Sequence, residues 1–203
     1  MKNHKLNLKS PFIPTRQAIV PWLTIFSTIL LAVFLLRSQG RLWWCSCNRI
    51  YFWAGDIWSS DNSQHLFDPY SFTHMLHGVL FCGLLVWLSP WLSPMWRLCV
   101  ATFLEATWEV FENTEAVIER YRESTAALGY EGDSIVNSMG DIFICGVGFI
   151  IAFHLGLRRS IILFAVTELI LLFWIRDSLL LNSLMLLYPI ESVIKWQMEG
   201  GGF

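Results

Sequence analysis

Three groups of polar residues interrupt apolar stretches of this chain. Glu105, Glu109 and Glu112 follow one another at i, i+4 and i+7 in the stretch EATWEVFEN. On a helix they project from one stripe. His74 and His77 stand at i, i+3, and Asp133, Asn137 and Asp141 at i, i+4, i+8. The last group makes a stripe about 12 Å long at about 1.5 Å per residue. Imidazoles with carboxylates are a donor set for Zn²⁺, Mn²⁺ or Fe²⁺. A divalent metal held there could activate water against an ester or phosphate of a lipid headgroup. On this reading His74, His77, Glu109 and Asp141 are the metal ligands. Glu105, Glu109, Asp133, Asn137 and Asp141 form the catalytic set, with a glutamate as general base and Asn137 orienting its neighbours. Arg120, Arg122 and Arg176 would hold a phosphate, because the guanidinium fork matches phosphate oxygens.

Each group also has a plainer reading. Two histidines one turn apart in a membrane helix can be hydrogen-bonded packing residues. Glu112 can snorkel at a rim, and the Asp133 stripe can cap and stitch helices. Arg120 and Arg122 can be solvated interfacial charges. Cys45 and Cys47, in WCSCN, can be disulfide-bonded to partners the sequence does not name, or bind metal. Cys82, Cys99 and Cys145 read as small hydrophobes.

The elements that position these residues follow from hydropathy. Of 203 residues, 55% are apolar, and the mean hydropathy is +0.50. These values fit an integral membrane protein and not an ordinary soluble domain. A net charge of −2 with no broad basic face excludes nucleic acid as a partner. The expected fold class is all-α: a polytopic membrane helical bundle of five transmembrane helices, with a short sixth or re-entrant C-terminal segment. The spans are 19–36, 70–88, 95–111, 134–157 and 161–175, and the short segment is 179–190. Residues 1–18 form a basic N-terminus, and 19–203 a single membrane-embedded helical domain. The run from 19 is too long, and its end too bulky, for a cleaved signal peptide.

Lys2, Lys5, Lys9 and Arg16 place the N-terminus in the cytoplasm by the positive-inside rule. Alternation then turns the loops 37–69 and 113–132 outward. The first is rich in tryptophan and is expected at the interface; the second contains AVIERYRES, which fits a short surface helix. With this orientation the three polar stripes share one depth, in the outer half of the bilayer. Below Asp141 the same face continues through Cys145, Gly148, Ala152 and Gly156, small residues that let helices approach. The pattern describes a funnel open outward and sealed inward, with Glu168 at its floor. Its carboxylates outnumber the nearby cations and need protons or a metal ion as counter-charge.

Four long motifs carry a family resemblance: GRLWWCSCN, SQHLFDPYSFTHMLHG, EATWEVFENTEAVIERYRESTAALGYEGDSIVNSMGDI and IRDSLLLNSLMLLYPIESVIKWQ. They resemble an uncharacterised multi-pass membrane protein family of alphaproteobacteria, over nearly everything after Gln39. The resemblance implies a bacterial inner-membrane protein and no established activity. Asp133-x-x-x-Asn137-x-x-Gly140 is also faintly similar to the late motif of the VanZ-like family, linked to teicoplanin resistance. That family's early motif places an aspartate four residues before the histidine; here Tyr70 precedes His74 and Thr73 precedes His77, so no catalytic role is carried over. The sequence thus points to a metal-dependent enzyme on a lipid or lipid-linked substrate. A proton-coupled transporter and a non-catalytic envelope-assembly protein are the alternatives.

Overall fold

The structure, a computed structural model, describes residues 12, 19–47, 49, 51–125 and 129–200. Apart from Phe12, the basic N-terminus lies outside the described residues. Among the described residues eight α-helices follow one another: α1 (Ile19–Ser38), α2 (Ser71–Leu84), α3 (Pro94–Glu112), α4 (Glu115–Ser124), α5 (Ile135–Leu155), α6 (Leu157–Trp174), α7 (Leu179–Leu187) and α8 (Glu191–Met198). A 3₁₀ turn, Leu85–Leu88, extends α2. Among the described residues there is no strand, only one isolated parallel bridge between Trp53 and Phe67.

Local chemistry explains where the helices begin and end. Ser93 caps α3 by accepting the Trp96 N–H, with Pro94 just inside the first turn. Ser134 caps α5 through the Asn137 N–H, and Ser178 caps α7 through the Leu181 N–H. Gly156 separates α5 from α6 at φ 74°, a left-handed conformation that glycine adopts without Cβ penalty. It is therefore a corner and not a packing residue: a Cβ there would meet open space. The expected small-residue stripe ends one turn earlier.

Gly78 and Gly148 are the true contact points. A Cβ on Gly78 would run into the Cys145 carbonyl of α5, and one on Gly148 into the Met75 carbonyl of α2. The two backbones touch because both glycines are there. α3 packs on α5 and α2, and α1 lies against α3.

The bundle is polarised along its length. One end is apolar, with Val79, Cys82, Leu85, Leu98 and Phe149 buried together. The other end gathers the start of α2, the end of α3 and the start of α5, where the polar stripes lie. The end of α6 is there too: Trp174 stacks on Trp53, and Tyr70 donates from its hydroxyl to Asp177 at 3.3 Å. Segment 37–69 is folded onto this end. Leu42 and Trp43 carbonyls accept the Ile135 and Val136 N–H groups, and the Ser63 carbonyl accepts that of Ser134.

Among the described residues three helices are long and apolar enough to cross a membrane: α1, α2 with its 3₁₀ extension, and α5. α3 carries Arg97, Glu105, Glu109 and Glu112, and α6 carries Arg158, Arg159 and Glu168; those charges keep both out of that class. α1 and α6 nevertheless expose large apolar side chains, among them Phe26, Phe34, Ile162 and Phe173. Apolar surface on that scale marks a protein that meets lipid or another apolar partner.

The C-terminal stretch, open between a short sixth span and a re-entrant segment, is a short helix. α7 stops at Leu187. At about 1.5 Å per residue it is near 14 Å long, about half a hydrocarbon core. α7 lies on α4 instead: Tyr121 donates to Asn182 Oδ1 at 3.2 Å, and Arg120 Nε to the Leu186 carbonyl at 2.8 Å. α8 follows it, an element the hydropathy pattern does not distinguish.

Candidate metal centre

His74 and His77 reach α3 from one face of α2, and both direct Nδ1 at Glu105. The His74 contact is 2.6 Å, and His77 lies 3.1 and 3.0 Å from the two oxygens. Glu105 is fully buried. As Nδ1–H donors neutral rings would satisfy this carboxylate, and that tautomer would leave each Nε2 with a lone pair. His74 Nε2 lies 4.0 Å from Asp141 Oδ2 on α5. On its other side His74 Nδ1 is 3.2 Å from Glu109 Oε1.

Two donor groups satisfy the spacing of a metal site: His74, His77 and Glu105, and His74, Glu109 and Glu112, each with atoms mutually within 4.8 Å. Both oxygens of Glu109, Asp141 Oδ1 and Glu112 Oε2 are buried without a hydrogen-bond partner. Orphaned carboxylate oxygens around a histidine are what a cation would satisfy. Among the described residues no arginine or lysine does so. Among the described residues, the only carboxylate within 4.0 Å of either is Glu199, 3.8 Å from Arg176 at the surface.

The centre opens into a cavity of about 160 Å³. His74, His77, Glu112 and Asp141 line it; Glu105 and Glu109 stand behind the rings. α7 contributes Leu179, Asn182 and Ser183 to the wall, and α4 contributes Tyr121.

Asp133 and Asn137 hold the framework. Asp133 accepts from Asn113 Nδ2 at 2.9 Å and from the Tyr130 hydroxyl at 2.9 Å, and its N–H donates to Asn113 Oδ1 at 2.7 Å. Burial pushes the Asp133 carboxyl up, against the pull of those donors. Asn137 Nδ2 donates to the His65 carbonyl at 3.0 Å, which ties α5 to segment 37–69. It does not touch Glu105 or Glu109 and so does not orient them. Both residues line the cavity.

Glu168 is not the floor of the funnel. Its two oxygens accept the Leu179 and Leu180 N–H groups at 2.9 and 3.1 Å, where a carboxylate meets the positive end of α7. The three arginines do not line the cavity either, because backbone carbonyls hold them. Arg120 donates to Leu186 and Leu187, Arg122 to Tyr130, and Arg176 to Trp196.

Asp68 is a site residue that periodicity did not reveal. It accepts the N–H groups of Tyr70, Ser71 and Ser63. Burial, then Asp133, pushes its carboxyl up to about 6. Ser63, also on the wall, sits at φ 59°; its N–H to Asp68 and its carbonyl to Ser134 hold it in that sparsely populated conformation. The only advance signal was the Asp-Pro dipeptide, which marks a turn before α2.

Fold and cluster together define a helical protein with membrane-length apolar helices and a buried histidine–carboxylate centre. The chain belongs to the family described as "Protein of unknown function (DUF2585)", which matches residues 36–199. It is 41% identical over 188 residues to the UPF0314 protein of Paracoccus denitrificans, covering 93% of this chain and 97% of the relative. It is 42% identical over 185 residues to that of Rhizobium meliloti, covering 90% and 92%. Its identity to that of Novosphingobium aromaticivorans is 41% over 185 residues, covering 89% and 92%. No solved structure matches the chain at a significant level.

Proposed function

We propose that this chain is a multi-pass inner-membrane enzyme that holds a divalent metal at His74 and His77 and acts on a lipid or lipid-linked substrate at the outer face. The observation that carries the reading is Glu105. One buried carboxylate fixes the Nδ1–H of both histidines, the arrangement that orients metal-ligating imidazoles. Asp141 would complete the ligand set on the cavity side, and Glu109, 3.2 Å from His74 Nδ1, would balance charge behind the rings. A bound divalent ion would supply Lewis acidity and an activated water there. Asp133 and Asn137 would keep α5 and the overlying segment in register, and α4 and α7 would shield the centre from bulk water.

In this reading α1, α2, α3, α5 and α6 all cross the bilayer, with the N-terminus in the cytoplasm. The charged stripe of α3 is tolerated because Glu105 and Glu109 face the bundle interior. Arg120, Arg122 and Arg176 remain candidates for headgroup phosphate only at the surface, outside the cavity. A proton-coupled carrier has less support, since below the cluster the core is largely apolar and its buried polar residues include Arg97, Thr102 and Ser160 but no carboxylate.

Metal analysis of the detergent-purified protein tests the proposal. A divalent transition metal is expected in the wild type and absent from the His74→Ala/His77→Ala double variant. Wild type without metal, or a double variant that keeps it, overturns the reading.

A further inference from the structure

A second constellation lies outside this centre, in the segment that covers it. Cys45 and Cys47 are joined to each other by a disulfide. Their surroundings are unequal. Cys45 is 3% exposed, and Cys47 is exposed. The Cys47 N–H points at Cys45 Sγ from 3.0 Å, and Asp61 Oδ1 lies 3.7 Å from the same sulfur. One donor-type atom each from Cys45, Cys47, Asp61 and His65 lies within 4.8 Å of the others.

His65 decides what this group can do. It is 1% exposed. Its Nδ1 accepts the Tyr51 N–H at 3.2 Å, so the neutral ring carries its proton on Nε2. That atom is buried without a hydrogen-bond partner; Asp61 Oδ1, at 3.8 Å, is out of reach. A protonated Nε2 has no lone pair for a metal, which disfavours a metal site. It is instead an orphaned donor in the cluster that holds the buried sulfur, and a thiolate formed on Cys45 would offer it an acceptor.

We propose that Cys45–Cys47 is a thiol–disulfide exchange site, with Cys47 the sulfur attacked, Cys45 the leaving sulfur and His65 the donor that receives it. An incoming thiolate bonds to Cys47 Sγ as the bond to Cys45 Sγ breaks. The electron pair leaves on Cys45, where the Cys47 N–H already points and the His65 ring stands in the same cluster. A second thiolate of the partner then attacks the partner's own sulfur in the mixed disulfide and expels the Cys47 thiolate. The two protons released by the partner's thiols pass to Cys45 and Cys47. Overall, a dithiol is oxidised to a disulfide and the protein pair is reduced. Asp61 Oδ1 then stands as acceptor for the Cys45 thiol.

The test uses the full purified chain in detergent, with glutathione as a small thiol and reduced thioredoxin as a protein dithiol. Brief exposure to glutathione followed by acid quench should leave the adduct on Cys47 and not Cys45, located by fragmentation of tryptic peptide 42–49. Thioredoxin should reduce the pair in the folded protein, and the faster probe identifies the class of partner. His65→Phe, which keeps the ring but removes the donor, should slow reduction at least about tenfold, the worth of a hydrogen bond to a charged group. Reduction only after denaturation, glutathione on Cys45 as often as on Cys47, or an unchanged rate in folded His65→Phe overturns the proposal.

Discussion

Single side chains here are set by what their second polar atom does. Glu105 acts through two imidazoles, so changing its charge without its size isolates that role. Glu105→Gln is expected to remain folded and to bind metal about 10- to 100-fold more weakly, the usual effect of removing such a carboxylate. Competition with a chromophoric chelator measures it. Asp177 offers a separate test, outside the histidine–carboxylate cluster. It accepts from Tyr70, Asn182 and the Ser178 N–H, and Glu168 is its nearest acidic influence. Burial, the largest effect, pushes its carboxyl from 3.8 up to about 6. The folded state therefore keeps a proton that the unfolded chain has released. Stability contributed by this group falls as pH rises from about 4 to about 6 and is level above that, by up to ~3 kcal/mol. Asp177→Asn should reduce that slope in thermal melts taken across this window.

At the scale of elements, the α2–α5 contact places the histidines beside Asp141. It depends on two glycines whose missing side chains let carbonyls approach. Gly78→Ala should cost roughly 1–3 kcal/mol, as overpacking against an immovable backbone does, and should weaken metal binding with it. Gly83 is on the same helix but faces open space, and Gly83→Ala should be neutral or stabilising. Gly156→Ala should cost about 1 kcal/mol for its left-handed backbone alone, leaving metal binding unchanged. Thermal unfolding in detergent ranks the three. The short α4 and α7 matter as a pair, since their shared bonds make one wall of the cavity that neither could make alone.

For the whole molecule the expected arrangement is five crossings, with the polar end of the bundle outward. Single cysteines placed at exposed Glu115 and Asp56, in a background lacking the native cysteines, should react with a membrane-impermeant maleimide in intact cells. One at Ser89, in the α2–α3 turn, should react only after lysis. Labelling of Ser89Cys from outside would reverse the orientation and move the centre to the cytoplasmic face.

How much of this was legible beforehand varies by feature. The helices containing the polar stripes were readable to within a few residues, because apolar run length and Pro, Ser and Gly punctuation act locally. The three stripes and their common depth were readable too, since helical periodicity alone fixes which residues share a face. Which atoms meet was not. Asp68, His65, Asn113 and Tyr130 lie in turns or at helix ends, where no period applies, and their partners are 20 to 72 residues or as few as three away. Nor did hydropathy distinguish a short wall helix such as α7 from a membrane span, since both are apolar. The sequence by itself determined an apolar helical protein with histidines and carboxylates at one level. Only the tertiary structure decided that Glu105 binds both imidazoles, that the arginines are spent on carbonyls, and that Cys45 and Cys47 close on each other beside a buried histidine. Those outcomes depend on through-space distances and competing hydrogen bonds, which spacing along the chain does not encode.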